Sequence, residues 1–216
     1  MVEKERTAPI EVMIESVKGM ECESCGALNI VEDLPVFSRA KCHQCLTEFT
    51  VFGLIDDFKV YREIGSGGMG CVYEAIDPVL HRKVAIKVMN IAFSSNEDFS
   101  TKFVNEARTI ASFSHPNIVQ IHTLGNRKGE DYIVMEYIDG PSLDQLIEQQ
   151  GQLDELDFLN LALDVTRGLK AAHDAGLIHG DIKPENIMID PEFRAKLVDF
   201  GLTYNADEAF SGQRVG

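Results

Sequence analysis

The sequence lacks the long apolar run that a membrane-spanning helix needs, since no uninterrupted stretch approaches about 20 apolar residues. Residues 1–6 are mostly charged, and no apolar core follows them as it would in a signal peptide. Internal repeats and low-complexity tracts are also missing, apart from one repeated pair of cysteines. These absences predict a cytoplasmic chain with no membrane segment.

Positive charge is scarce as well. The chain has 20 Lys and Arg residues against 35 Asp and Glu residues, which gives a formal net charge of −15. Phosphate backbones repel an acidic protein, so nucleic acid is a poor candidate partner. The 44% hydrophobic content is ordinary for a packed globular protein, and 216 residues suit one domain with a small appendage.

Four of the five cysteines form two Cys-x-x-Cys pairs separated by sixteen residues. Each pair can make a tight turn that presents two sulfurs to one ion, and this spacing is typical of a four-thiolate zinc site. The four ligands would be Cys22, Cys25, Cys42 and Cys45. We predict a ribbon with a structural Zn²⁺ ion; a redox pair or unligated cysteines are the alternatives. His43 is interpreted as a solvent-facing turn residue rather than a ligand.

A glycine-rich motif follows a strand-like run that begins at Phe58. It reads Gly65-Ser66-Gly67-Gly68-Met69-Gly70. Dinucleotide-binding folds use a similar motif, but a helix follows their glycines. Here residues 72–76 have the pattern of a second strand, which predicts a hairpin whose backbone amides can close over phosphates.

A second group of polar residues occurs late in the chain. Its segments are His179-Gly180-Asp181-Ile182-Lys183-Pro184-Glu185-Asn186 and Asp199-Phe200-Gly201. Carboxylate and amide oxygens are the ligands that Mg²⁺ prefers, and a nearby acid can accept a proton from an attacking hydroxyl. Each residue alone could be an ordinary surface group. Their order and spacing predict phosphoryl transfer.

From Phe58 to Gly216 these motifs, in this order, resemble the protein kinase family, and most closely the bacterial serine/threonine kinases built on the eukaryotic plan. The resemblance implies an α+β, two-lobed protein kinase fold with a complete small lobe and a partial large lobe. The expected organisation is a leader over 1–18, the zinc ribbon over 19–50, a linker over 51–57 and the kinase domain over 58–216.

The resemblance also implies the roles of individual residues. Asp181 would be the catalytic base, Lys183 would stabilise the transferred phosphoryl group, and Asn186 with Asp199 would bind Mg²⁺. Lys87 would bind the phosphates of ATP. The implied catalytic residues are Asp181, Lys183, Lys87 and Glu106. The implied nucleotide-binding residues are Gly65, Ser66, Gly67, Gly68, Met69, Gly70, Val72, Ala85, Lys87, Glu136, Ile138, Asn186 and Asp199.

Glu106 is the expected partner of Lys87, because a lysine among apolar strand residues needs a compensating charge. It lies in a predicted helix over 96–112, and a second helix is predicted over 155–175. A hairpin is predicted around Asp190-Pro191. Backbone groups near Glu136 and Ile138 would contact adenine, while His179 is expected to support the catalytic loop.

The sequence departs from the family pattern at two places. Gly180 stands where many members have arginine, so we expect regulation other than loop phosphorylation. The chain also stops inside the expected activation segment, which suggests a fragment that transfers phosphate to protein substrates poorly. A non-catalytic scaffold that recruits a protein partner through the ribbon is the alternative to a serine/threonine kinase.

Overall fold

The computed structural model describes residues 13–67, 70–89, 104, 107–112 and 114–200, with the backbone of 204–205. The chain divides into two compact units. The first comprises Met1–Ser100 and Leu124–Val134, and the second comprises Thr101–Thr123 and Met135–Gly216. No helix in the described ranges is long and apolar enough to cross a membrane.

Short strands dominate the described part of the chain. They are β1 (Glu15–Ser16), β2 (Gly19–Glu21), β3 (Leu28–Ile30), β4 (Arg39–Lys41), β5 (Glu48–Thr50), β6 (Gly53–Ile55), β7 (Phe58–Gly67), β8 (Gly70–Asp77), β9 (Arg82–Met89), β10 (Ile121–Arg127), β11 (Glu130–Glu136), β12 (Leu177–Ile178), β13 (Ile187–Ile189), β14 (Ala195–Leu197) and β15 (Tyr204–Asn205). Seven of them form one sheet in the order β1-β6-β7-β8-β9-β11-β10.

The core of the first unit lies on one face of this sheet. Alternate residues of β8, among them Cys71 and Tyr73, are buried together with Val84 and Ile86 of β9. Because side chains alternate across a strand, the residues between them point to the opposite face. Val72 lies on that opposite face.

The two cysteine pairs lie in two hairpins, β2–β3 and β4–β5. These hairpins have the same strand register and the same backbone hydrogen bonds. The N–H of Cys22 donates to the carbonyl of Ala27 at 2.9 Å, and the N–H of Cys42 donates to the carbonyl of Thr47 at 2.9 Å. The hairpins are therefore two copies of one local structure. This structure is the predicted ribbon.

The ribbon packs against the sheet through a side-chain contact. Phe37 lies 6.1 Å from Tyr73 between ring centroids, and Met13 is fully buried in the core of the sheet. The segment 51–57, expected to be a linker, contributes strand β6, which pairs with both β1 and β7. The chain therefore enters and leaves the ribbon through strands of the sheet.

Arg127 holds these entering and leaving strands in place. Its guanidinium lies 2.5 Å from a carboxylate oxygen of Glu15 and 3.6 Å from one of Asp56. The hydroxyl of Tyr132 donates a short hydrogen bond to Asp56. Polar contacts thus fix the segments through which the chain enters and leaves the ribbon to strands β10 and β11 of the sheet.

The second unit contains helices α1 (Leu143–Gln150) and α2 (Glu155–Asp174). Ser142 and Gln145 form a capping box at the start of α1. Asp154 caps α2 by accepting hydrogen bonds from two backbone N–H groups. The predicted helix over 155–175 is confirmed to within one residue at its end.

The predicted hairpin is also confirmed, because β13 and β14 pair antiparallel on either side of the turn. Asp190 orders the turn by accepting hydrogen bonds from the backbone of Glu192 and Arg194. Of the predicted helix over 96–112, residues 107–111 are described and are helical. The remainder of that prediction, apart from residues 104 and 112, lies outside the described residues.

Candidate active site

The four paired cysteines lie together, with sulfur atoms all within 4.8 Å of one another. The Sγ atoms of Cys22 and Cys45 are 3.6 Å apart, and those of Cys25 and Cys42 are 3.7 Å apart. Sulfurs bound tetrahedrally to zinc at about 2.3 Å would be separated by about 3.8 Å. The thiols are therefore too far apart for disulfides and suitably placed for one ion.

Asn29 connects the two hairpins beside these thiols. Its buried amide donates to the carbonyl of Ala27 at 3.0 Å and lies 3.7 Å from the Sγ of Cys42. Its Oδ1 accepts a hydrogen bond from the N–H of His43 at 2.9 Å. Sequence reasoning missed Asn29, because a single asparagine in a short strand matches no metal motif.

The environment of the second pair favours thiolates. Backbone N–H groups of Cys45 and Gln44 lower the pKa of the Cys42 thiol to about 6. The side chain of His43 lies 3.1 Å from Asn29 and stays exposed. Among the described residues, the group that could hold a metal contains the four cysteines and no histidine.

The glycine motif lies in the predicted β7–β8 hairpin, with Gly65 opposite Val72 and Gly67 opposite Gly70. A Cβ atom added to Gly65 or Gly67 would meet nothing within 4 Å. A Cβ on Gly70, whose φ is +150°, would lie 2.0 Å from the carbonyl oxygen of Val88. Of the three motif glycines that the structure describes, Gly70 alone is therefore required by packing within the protein. Gly68 and Met69 lie outside the described residues.

Lys87 lies on β9 directly opposite Val72 of β8. Cross-strand partners share a face of the sheet, and Ala85 shares that face because it lies two residues away on the same strand. The side chain of Lys87 is half-buried. Glu106, its expected partner, lies outside the described residues.

The loop formed by residues 179–186, which the sequence predicts to be catalytic, is held by hydrogen bonds to Asp181. The Nζ atom of Lys183 lies 2.9 Å from Oδ2 of Asp181. The Nδ2 atom of Asn186 donates to this oxygen at 3.0 Å and to the Asp181 carbonyl at 2.9 Å. Because Nδ2 is used in this way, Oδ1 is the amide atom that Asn186 can offer to a cation.

The end of β14 leads to Asp199 and is bonded to the same loop. The N–H of Val198 donates to the carbonyl of Asn186 at 3.0 Å. Asp199 has a φ of +56°, a left-handed conformation that is uncommon for a residue other than glycine. Phe200 then packs on His179, with 4.4 Å between ring centroids. The hairpin thus brings Asp199 to the loop that contains Asp181.

A model of the protein kinase domain matches residues 58–213, which include both motifs. The chain belongs to the protein kinase domain family. It is 40% identical over 157 residues to the serine/threonine-protein kinase PknA of Mycobacterium tuberculosis, covering 70% of this chain and 36% of PknA. It is 39% identical over 145 residues to the serine/threonine-protein kinase PrkC of Bacillus subtilis, covering 67% of this chain and 22% of PrkC.

The kinase domain is also similar to a solved structure, that of the PknI kinase domain of M. tuberculosis. The TM-score is 0.60 at 30% identity, and the match covers 68% of this chain and 60% of that one. The chain thus spans less than two thirds of the length of each of these three matched chains. The match agrees with the predicted α+β kinase fold with a partial large lobe.

The ionisation of Asp181, Lys183 and His179 in the loop formed by residues 179–186 follows from their contacts. The hydrogen bond from Lys183 holds the pKa of Asp181 below its usual value, and the same contact raises the pKa of Lys183. Burial lowers the pKa of His179, although its ring lies 3.1 Å from the carbonyl of Val198. At neutral pH, Asp181 is a carboxylate and His179 is neutral.

Glu136, at the expected hinge of the kinase domain, has side-chain partners that the sequence did not suggest. Its carboxylate lies 2.8 Å from the Nζ of Lys196 on β14 and accepts a hydrogen bond from the N–H of Gln120 at 2.8 Å. Its own N–H donates to the carbonyl of Gln120. The position of Lys196 between apolar residues of β14 could have indicated an acidic partner, because a lysine in such a run needs a compensating charge.

Proposed function

We propose that this chain carries the catalytic residues of a serine/threonine protein kinase, which transfers the γ-phosphoryl group of ATP to serine and threonine hydroxyls of proteins. The contact of the Asp181 carboxylate with both Lys183 and Asn186 is the observation that carries this proposal. It combines a proton acceptor, a cation and an amide ligand in one loop. PknA and PrkC, which are relatives of this chain, are named as serine/threonine kinases.

Asp181 would orient the attacking hydroxyl and accept its proton. Its lowered pKa keeps it ionised, so its main contribution is to hold the hydroxyl in place rather than to be a strong base. Lys183 would approach the transferred phosphoryl group and offset its developing charge. Both side chains are exposed in the structure, as contact with a substrate requires.

The nucleotide would be bound by residues with little side-chain bulk or with a positive charge. Gly65 and Gly67 leave space for phosphate oxygens near the backbone of the hairpin. Lys87 would pair with the phosphates, and Val72 and Ala85 would cover the adenine. Glu136 and Ile138 would contact adenine through their backbone groups. Ser66, Gly68, Met69, Gly70 and Glu106 remain predicted members of this set.

Asn186 and Asp199 would hold Mg²⁺ through oxygen atoms, which suits the preference of this cation. The ion would neutralise phosphate charge when bound. The fixed amide of Asn186 fits this role, since its nitrogen is committed to Asp181. A non-catalytic scaffold is less favoured, because Lys87, Asp181 and the two cation ligands are all present.

For the ribbon we propose one structural Zn²⁺ ion bound by the four cysteine thiolates. The sulfur distances near 3.7 Å support this proposal. Four protein ligands leave no open coordination position, so the ion would stabilise the fold without taking part in catalysis. Free thiols in this arrangement persist in a reducing compartment, which favours the cytoplasm.

The catalytic proposal can be tested with the chain in excess over labelled Mg·ATP and a generic protein acceptor. This single-turnover design detects slow transfer. We expect transfer to fall by a factor of about 10²–10⁴ in Asp181→Asn, because a neutral amide orients the hydroxyl less well and cannot accept its proton. Asp174→Asn, which changes an exposed acid of α2, should keep the wild-type rate. Equal transfer by wild type and Asp181→Asn would refute the proposal.

The metal proposal has its own test. The purified chain should contain one zinc ion, and Cys42→Ser should contain less. Chelation should lower the melting temperature of the protein, because the ribbon packs on the sheet through Phe37. Cys71→Ser should keep the zinc, since Cys71 lies apart from the four ligands. A chain that melts at the same temperature with and without chelator would contradict this role.

A further inference from the structure

The outer face of hairpin β2–β3 exposes two large aliphatic side chains. Leu28 is 58% exposed and Ile30 is 68% exposed, while Asn29 between them is buried. Because side chains alternate along a strand, Leu28 and Ile30 point outward together. Glu21, the cross-strand partner of Leu28, shares this face. We call the face formed by Glu21, Leu28 and Ile30 the apolar face of the ribbon.

The second hairpin shows what the same fold looks like where its outer face is polar. Positions that are twenty residues later are equivalent, since both hairpins have the same register. Glu48 and Thr50 stand in place of the two aliphatic residues, and Lys41 stands in place of Glu21. Lys41 and Glu48 form an ion pair at 3.5 Å. The ribbon fold itself therefore does not require leucine and isoleucine at these positions.

The exposed aliphatic residues also contribute little to the core of the ribbon. That core is formed by Met20, Val31 and Val51, with partly buried residues around them. Leu28 lies over Gly19, near enough for an added Cβ to be 3.1 Å from its Cδ1 atom, but more than half of its surface stays in water. Contiguous exposed apolar surface is a feature of protein interaction sites.

The charge of the segment that carries this face indicates the kind of partner. Between residues 19 and 34 there are four acidic residues and no lysine or arginine. The acidic residues are Glu21, Glu23, Glu32 and Asp33, and all are exposed. A second copy of the chain would bring the same negative charges together. A nucleic acid would be repelled as well.

We propose that the apolar face of the ribbon is a docking surface for a protein segment that alternates apolar and basic residues. Leu28 and Ile30 are two residues apart on a strand, which matches the spacing of side chains on one face of an extended segment. Lysine or arginine residues of the segment would lie near the exposed acidic residues between positions 19 and 34. This inference depends on the ribbon fold and is independent of phosphoryl transfer.

The test uses two synthetic ten-residue peptides that alternate valine with lysine or valine with glutamate. Each is titrated into the zinc-supplemented full chain, and binding is followed by methyl NMR. We expect the lysine peptide to shift the methyl signals of Leu28 and Ile30 and the glutamate peptide to bind much more weakly. The double variant Leu28→Glu with Ile30→Thr copies the second hairpin and should bind the lysine peptide about tenfold more weakly or worse.

The double variant separates this proposal from simple charge attraction. It adds one negative charge, so non-specific attraction would make the lysine peptide bind more tightly. Thr50→Glu adds the same charge to the outer face of the second hairpin, at the position equivalent to Ile30, and should keep wild-type affinity at the apolar face. A neutral variant, Leu28→Ser with Ile30→Thr, should also lose binding, and zinc content checks that each ribbon is folded.

Three results would overturn the proposal. One is undetectable binding of the lysine peptide to the wild-type chain. Another is equal or tighter binding of that peptide to the folded double variant. The third is a concentration-dependent dimer of the wild-type chain that the double variant cannot form, because it would identify a second copy as the occupant.

Discussion

The Nζ atom of Lys183 lies 2.9 Å from Oδ2 of Asp181, the oxygen that also accepts a hydrogen bond from Asn186 at 3.0 Å. This oxygen therefore faces two donors before any substrate binds. Lys183 can contact a phosphoryl group only by sharing or leaving this oxygen. The pair couples the charge of Asp181 to the position of Lys183.

Lys183→Ala should reduce phosphoryl transfer by about 10²-fold, because one charged donor to the transferred group is removed. The pKa of Asp181 should rise, since the hydrogen bond from Lys183 is the largest cause of its lowering. Single-turnover transfer rates measure the first effect.

Lys170→Ala is the matched control for this variant. Lys170 also pairs with an aspartate, Asp174, at 2.5 Å in the same unit. Its exposed ion pair on α2 contributes little to stability. If both alanine variants reduce transfer equally, Lys183 has no special role.

The burial of His179 predicts that the stability of the protein depends on pH. Burial lowers its pKa below the value near 6.5 expected in the unfolded chain. The stabilisation that comes from burying neutral His179 is therefore fully present above about pH 6.5. It is lost as the pH falls through the lower pKa of His179 in the folded protein. We expect the free energy of unfolding, measured with urea, to decrease as pH falls below 6.5.

Replacing this histidine tests the assignment. His179→Gln should show a weaker decrease over the same pH range, whereas His173→Gln, at an exposed position of α2, should match the wild type. A decrease that is the same size in wild type and His179→Gln would mean that other groups cause it.

Asn29 is expected to support the zinc site. Asn29→Ala removes the N–H group that faces Cys42 and the acceptor for His43. Loss of such an outer contact commonly weakens metal binding by about 10- to 100-fold. Competition with a chromophoric chelator measures the zinc affinity.

Asn126→Ala is the control, because Asn126 bonds to Asp131 away from the cysteines. His43→Ala should keep a four-sulfur zinc site, since the histidine is not among the grouped ligands. Zinc affinity that is unchanged in Asn29→Ala would exclude a role for this amide.

The glycines of the β7–β8 hairpin should differ in their effects. Gly70→Ala places a Cβ atom 2.0 Å from the carbonyl oxygen of Val88 and should destabilise the protein by about 1–3 kcal/mol or more. Gly67→Ala meets no such contact and should change stability by less than about 0.5 kcal/mol. Thermal melts distinguish the two.

Although Gly67→Ala should hardly change stability, it should affect nucleotide binding. The added methyl group should weaken binding of Mg·ATP because it occupies space beside the backbone. Calorimetry with the folded variant measures this effect. Wild-type affinity in Gly67→Ala would show that phosphates do not approach this glycine closely.

Much of the fold was predictable where residues recur in a long pattern or a spaced motif. The cysteine pairs predicted two tight turns within one ribbon, and the apolar periodicity of α2 predicted its start and nearly its end. The glycine motif predicted the β7–β8 hairpin because residues 72–76 alternate as a strand does. These signals are local, so a single sequence contains them.

Contacts between distant segments were not predictable in the same way. Strands β1 and β6 have two and three residues, too few for a recognisable period, and their position depends on pairing with the sheet. The segment 51–57 therefore suggested a linker. The Lys196–Glu136 ion pair joins residues sixty positions apart, and no spacing rule connects them.

Analysis of the phosphorylated residue tests the central proposal most directly. The chain is incubated with Mg·ATP and a mixed protein acceptor, and the product is examined by mass spectrometry for phosphoserine, phosphothreonine and phosphotyrosine. We predict phosphoserine and phosphothreonine that disappear with Asp181→Asn. Phosphotyrosine as the main product, or release of phosphate to water without a phosphoprotein, would contradict a serine/threonine kinase.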